Sequence, residues 1–169
     1  MKVIIFRPFL VFLILFSFVQ SYAQDNKLEK NYPEMKKNTV YGTVGTLPGF
    51  WGVINVNYER LISERKKGFF RSYWLRTGAG LYAEWGSEGG HFVTGLTALT
   101  GSNKNHLELN IGFALLFPNF PYEYAGPHPL IINPAGVIGY RFQKPQGKFV
   151  FRFGVGYPEA WYLSLGLVF

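Results

Sequence analysis

The chain has 169 residues, no cysteine, a formal net charge of +7, and 19% aromatic residues. That length suits a single domain. The missing cysteine excludes disulfides and a lipobox lipid anchor, and the abundance of Gly, aromatic and β-branched residues weighs against a helical fold.

The first stretch, "MKVIIFRPFLVFLILFSFVQSYAQ", has Lys2 and Arg7 ahead of an apolar run at residues 9–19, then a small-x-small Ser21-Tyr22-Ala23. This is the anatomy of a cleaved secretory signal peptide over residues 1–23. The run is short for a membrane helix, which needs about 20 apolar residues. Its removal would lower the net charge by two. Residues 24–38, "QDNKLEKNYPEMKKN", are polar and charged and predict a flexible N-terminal segment on the periplasmic side.

Eight stretches with apolar residues at alternate positions follow, at residues 39–47, 53–62, 70–83, 91–100, 107–117, 135–142, 148–157 and 161–169. Period-two alternation marks strands with two unlike faces. In the last stretch Trp161, Leu163, Leu165, Leu167 and Phe169 share one face, opposite Tyr162, Ser164, Gly166 and Val168. Phe149, Phe151, Phe153 and Val155 stand against Val150, Arg152, Gly154 and Gly156 in the same way. The facing of 39–47 and 91–100 stays open.

One face is large and apolar, and the other is small, polar or charged. A small charged face suits a narrow interior, and a large apolar face suits lipid. Apolar-out, polar-in alternation over about ten residues per strand is the pattern of outer-membrane barrels. Strands in lipid close on themselves because an open edge finds no hydrogen-bond partner there. The prediction is therefore all-β: a closed antiparallel eight-stranded transmembrane β-barrel over residues 39–169. Eight strands leave an interior that side chains can fill. Glu59, Arg76, Glu108, Arg141 and Arg152 fall on the inward face and are expected to pair there, since an unpaired buried charge is very costly. The expected interior is a plug of ion pairs rather than a channel.

The connections fit alternating sidedness. The expected outer loops, residues 47–52, 84–91, 117–130 and 157–160, hold Glu84, Glu88, Glu123 and Glu159 and no Lys or Arg. The expected inner turns, 63–68, 101–105 and 143–147, with their flanks, hold Arg60, Arg65, Lys66, Lys67, Arg71, Lys104, Lys144 and Lys148. Aromatics gather at strand ends as Trp and Tyr do at membrane interfaces. Phe50, Trp51, Tyr82, Trp85, Phe92, Phe117, Tyr157 and Trp161 are assigned to an outer belt. Phe69, Phe70, Tyr73, Trp74, Tyr140, Phe142, Phe149 and Phe169 are assigned to an inner belt.

With its leader, eight alternating segments and final "YLSLGLVF", the chain resembles the small eight-stranded bacterial outer-membrane β-barrel proteins over roughly residues 39–169. The resemblance implies insertion in the bacterial outer membrane as a multi-pass barrel. It also implies delivery by the barrel assembly machinery, with Tyr162, Gly166 and Phe169 as the recognised positions. Lipid and lipopolysaccharide of that membrane are the implied partners, and the chain is expected to be a monomer. The family includes structural proteins, adhesins and lipid-modifying enzymes, so activity does not follow from it.

Chemical motifs are sparse. His91, His106 and His128 lie in different connections without metal-ligand spacing, and no phosphate loop or nucleophile elbow occurs. No cofactor, metal or nucleic acid is expected. A lipid-modifying acyl hydrolase or transferase would need Ser, His and an acid together. Ser87, Glu88 and His91 are weak candidates, and the His-x-Ser-Asn arrangement of the deacylases is absent. In "FPNFPYEYAGPHPL", prolines and Phe120, Tyr122 and Tyr124 offer a stiff aromatic surface for a partner. The leading expectation is a structural or surface-interacting barrel with a non-conducting interior. The alternatives are a lipid-modifying enzyme, a small-solute porin, or a soluble secreted barrel holding an apolar ligand.

Overall fold

The computed structural model describes residues 34–47, 49–84, 87–101, 103–119 and 130–169. The expected leader, Trp85, Glu123, His128 and the loop aromatics Phe120, Tyr122 and Tyr124 lie outside the described residues. The described chain is all-β. Its strands are β1 (Asn38–Leu47), β2 (Trp51–Glu64), β3 (Phe70–Glu84), β4 (Ser87–Thr100), β5 (Asn105–Asn119), β6 (Ile131–Gln143), β7 (Phe149–Tyr157) and β8 (Ala160–Val168). They form a closed antiparallel barrel in sequence order. β8 closes on β1 from Thr39↔Val168 to Thr46↔Trp161.

Period-two alternation sets the faces. On β8, Trp161, Leu163, Leu165 and Leu167 point out, while Tyr162, Ser164 and Val168 are buried inside. The two strands whose facing was open are now placed. β1 sends Thr39, Tyr41 and Thr43 inward, and β4 sends His91, Val93, Thr97 and Leu99 inward. β4 was ambiguous because small and polar residues occupy both of its faces, so only its neighbours' registers decide.

Several strands run further than the alternation predicted. β3 continues to Glu84 and β4 begins at Ser87, so residues 87–91 are strand and not loop. Gly89 allows this, because a Cβ there would run into the Phe117 carbonyl oxygen on β5. Trp74 and Tyr82 were assigned to interface belts and instead lie inside, since each shares inward parity with Arg76. Glu159 was placed in a solvent loop and is instead buried in the barrel.

The end of the barrel where β1 begins is sealed by residues 34–37. This stretch was expected to belong to a flexible segment. Met35 is buried against Trp74 and Leu99, its N–H donates to Glu64 Oε2 at 3.2 Å, and the Lys36 N–H donates to the Pro145 carbonyl. The opposite end is covered by Val53, Tyr82 and Leu116, with Trp51 stacked on Tyr82 at 5.3 Å between ring centroids.

Inward glycines make room for the large inward side chains. Gly139 and Gly154 face each other across β6 and β7. A Cβ on Gly139 would collide with the Tyr162 hydroxyl and the Phe153 carbonyl oxygen. Gly42 faces out, with nothing within 4 Å of a Cβ. Gly139→Val should therefore lower stability by about 1–3 kcal/mol through overpacking, and Gly42→Ala should leave it within about 0.5 kcal/mol. Urea unfolding followed by tryptophan fluorescence measures both. Equal midpoints for the two variants would contradict this packing.

Candidate functional site: the barrel interior

The interior is built in two polar layers between the apolar ends. The first is a four-charge cluster. Glu59 comes from β2, Glu108 from β5, Arg141 from β6 and Arg152 from β7. Glu59, Glu108 and Arg141 are 0% exposed and Arg152 is 1% exposed. Arg152 donates from Nε to both oxygens of Glu108 at 3.1 and 2.9 Å, and from Nη2 to Oε1 as well. Arg141 pairs with Glu59 through Nη1 and stands 3.6 Å from Glu108. A weaker contact of 4.0 Å links Arg152 to Glu59, so each arginine meets both carboxylates.

Neutral groups complete the cluster. Tyr41 donates its hydroxyl to Glu59 Oε1 at 2.7 Å, and Thr97 donates to the same oxygen at 3.3 Å. Arg141 Nε donates to Gln143 Oε1 at 2.7 Å. Aromatic faces cover the guanidinium planes. Arg152 lies 4.1 Å from the Tyr41 ring centroid and 5.6 Å from that of Tyr162. Arg141 lies 5.0 Å from that of Trp74. Stacking and hydrogen bonding together replace much of the hydration that burial removes.

The second layer lies toward the end where β1 finishes. Arg76 of β3 donates to Asn57 Oδ1 from Nε at 3.0 Å and from Nη2 at 2.8 Å. It also pairs with Glu159. Glu159 reaches it because the short turn between β7 and β8 folds into the mouth. The turn passes so close to β1 that a Cβ on Gly45 would meet the Glu159 carbonyl oxygen. Trp51 Nε1 also donates to the Pro158 carbonyl. Asn57 donates onward to Thr43 Oγ1 at 3.2 Å, and Thr43 shares a 2.8 Å hydrogen bond with Ser164.

The five interior charges expected from the sequence are therefore together, in two groups. Sequence reading missed Glu159 because a turn has no periodicity to give its side chain a direction. The charge count carried a signal: three inward arginines against two inward glutamates leave one cation without a partner, and Glu159 supplies the third carboxylate.

Ser87, Glu88 and His91 are not assembled for acyl transfer. Ser87 and His91 sit four residues apart on one strand, a separation of about 13 Å, too far for a proton to pass directly. Glu88 faces the opposite side and is exposed. His91 is buried and meets Asn55 Nδ2 at 3.4 Å through Nε2, while its Nδ1 has no partner among the described residues. His106 is also structural, with one ring nitrogen 2.6 Å from the Thr100 carbonyl oxygen and the other 3.1 Å from that of Gln143. Among the described residues, no group of three or more His, Asp or Glu could hold a metal ion. Of the expected assembly positions, Tyr162 and Gly166 point inward on β8, and Phe169 is exposed and hydrogen-bonded through its backbone to Asn38.

No known family model matches the chain, and no curated protein sequence matches it.

Large buried side chains and paired charges fill this part of the bore. Arg152→Met should destabilise the protein by about 3–5 kcal/mol, because Glu108 is left buried with a weaker partner. Arg152→Met combined with Glu108→Met should recover at least half of that loss. A double-mutant cycle by chemical denaturation reads the coupling. Simple additivity of the two single losses would refute a paired interior.

Proposed function

We propose that this chain is an integral outer-membrane β-barrel of a bacterial envelope, exported by its N-terminal leader and serving a structural or surface-interaction role with a non-conducting interior. The observation that carries the reading is the outer face. All around the closed sheet, large apolar side chains are left exposed, including Val56 at 63%, Leu81 at 64%, Ile111 at 61% and Leu167 at 63%. A soluble monomer rarely exposes a contiguous apolar patch beyond a few hundred Å². The buried side chains within include six charges, the inverse of a soluble core. Lipid is the solvent in which this inversion is stable, and closure leaves no unpaired strand edge for lipid to face.

The assembly machinery would recognise the last strand, with Tyr162, Gly166 and Phe169 as the recognised positions, and lipid and lipopolysaccharide would contact the apolar outer face. The filled bore supports closure to solutes. The lipid-modifying alternative loses support from the separation of Ser87 and His91, and the porin alternative from the paired charges across the lumen.

The reading is tested by membrane fractionation with heat-modifiable gel migration. The folded chain should sediment with outer membrane and migrate faster unboiled. Recovery as a soluble periplasmic protein would overturn the proposal. Leu165→Arg places a charge mid-strand on the outward face and should weaken insertion into lipid vesicles by about 2–4 kcal/mol. Planar-bilayer recording should give no large stable conductance.

A further inference from the structure

Outside the interior, every Lys and Arg among the described residues lies at the end of the barrel where β1 begins and β8 finishes. Among the described residues, only the Glu34 and Glu64 side chains offset them there, and the Glu64 carboxylate is engaged by the Met35 N–H. The other end carries Glu84 and Glu88 and no base among the described residues. The basic charge is densest on the β2–β3 turn, "RLISERKKGFFR", residues 60–71.

We propose that this basic end, centred on the β2–β3 turn, binds the phosphodiester headgroups of anionic phospholipids in the leaflet it faces. The inference rests on the membrane reading above and names the lipid class and the residues that select it.

The outer row of β2 carries the argument. It runs Ile54, Val56, Tyr58, Arg60: two exposed aliphatic residues, a tyrosine, then an exposed cation. Steps of two residues advance about 7 Å, so the row passes from hydrocarbon to interface to phosphate depth. The Tyr58 hydroxyl donates to Asn38 Oδ1 at 2.7 Å, which fixes the polar end of that ring at the interface level. At the turn itself, exposed Ile62 and Phe69 sit among the bases. Phe69 packs edge-on to Phe70 at 5.0 Å between ring centroids.

Cations interleaved with exposed apolar side chains suit a surface that offers phosphate and acyl chain together. A soluble polyanion would use the cations and leave Ile62 and Phe69 in water. The turn is also preorganised. The Arg65 N–H donates to the Arg71 carbonyl at 2.7 Å. The Arg65 guanidinium lies 5.1 Å from the Tyr73 ring centroid, which holds the head at the rim. Among the described residues, Arg60, Lys66 and Arg71 make no ion pair, so their charges are available to a headgroup.

The test uses the refolded barrel in vesicles of phosphatidylcholine, with trace spin-labelled phosphatidylglycerol or phosphatidylcholine, read by electron spin resonance as the motionally restricted lipid fraction. The expected result is a roughly fivefold preference for phosphatidylglycerol, the factor that one base near an anionic headgroup provides. The triple variant R65Q/K66Q/R71Q, with its fold checked by heat-modifiable migration, should bring the ratio close to one, as should 1 M NaCl. Glu84→Gln with Glu88→Gln, at the other end, should leave it unchanged. A ratio of one in the unaltered protein would overturn the inference while leaving the membrane reading intact, and would turn attention to an acidic protein partner. Loss of the preference in inorganic phosphate, at ionic strength matched by chloride, would also overturn it by assigning the end to free phosphate. Failure to enter either vesicle would overturn the membrane reading itself.

Discussion

Charge neutralisation inside a narrow barrel is the constraint on which the rest of the structure depends. Three arginines and three glutamates are buried within one bore. Each ion costs several kcal/mol to desolvate, and only good geometry repays that cost. The partners are far apart in sequence: Glu59 meets Arg141 across 82 residues, and Arg76 meets Glu159 across 83. They come from β2, β3, β5, β6, β7 and the last turn, so neutrality is reached only when the sheet has curled enough to bring opposite walls together. The same charges specify register. A one-residue slip in any of these strands would turn its charged side chain outward and its apolar neighbours inward. An apolar bore of the same volume could be as stable, but it would not penalise such slips so heavily.

Packing around the charges follows from the same narrowness. Trp74, Tyr41 and Tyr162 lie in the bore beside the guanidinium groups, and small residues on opposing strands give them space. Gly139 and Gly154 fit beneath the Tyr162 hydroxyl, and Gly166 fits beneath Tyr41. The ends are then closed by apolar groups, Met35 with Trp74 and Leu99 at one and Trp51 with Tyr82 at the other.

The strand pattern was legible because alternation is local: Leu163, Leu165 and Leu167 share a face whatever the rest of the chain does. The inward placement of Glu59, Arg76, Glu108, Arg141 and Arg152 was legible by the same parity. Parity also governed Trp74 and Tyr82, which a rule based on closeness to strand ends misplaced. Two features lay beyond local reading. Glu159 turns inward because its turn is held by Gly45, Trp51 and Arg76, all distant in sequence. Ser87 and His91 looked adjacent in "SEGGH", but strand geometry stretches four residues to about 13 Å. Spacing that would bring side chains together in a helix holds them apart in a strand.

The two polar layers differ in how they are held. The four-charge cluster is fixed by side chains from four different strands, each bonded on both edges, and its arginines are further covered by rings. The Arg76–Glu159 pair depends on one carboxylate from a connection rather than a strand. Beside it, His91 Nδ1 and Glu159 Oε2 are buried without partners among the described residues, against one such atom, Gln143 Nε2, beside the cluster. An unsatisfied buried polar atom costs about 1–3 kcal/mol, so the Arg76 layer carries the larger share of that cost. Under the membrane reading proposed above and the sidedness expected from the sequence, the cluster lies toward the periplasmic end that Met35 seals, and the Arg76 layer, beside the Pro158–Glu159 turn, lies toward the outside.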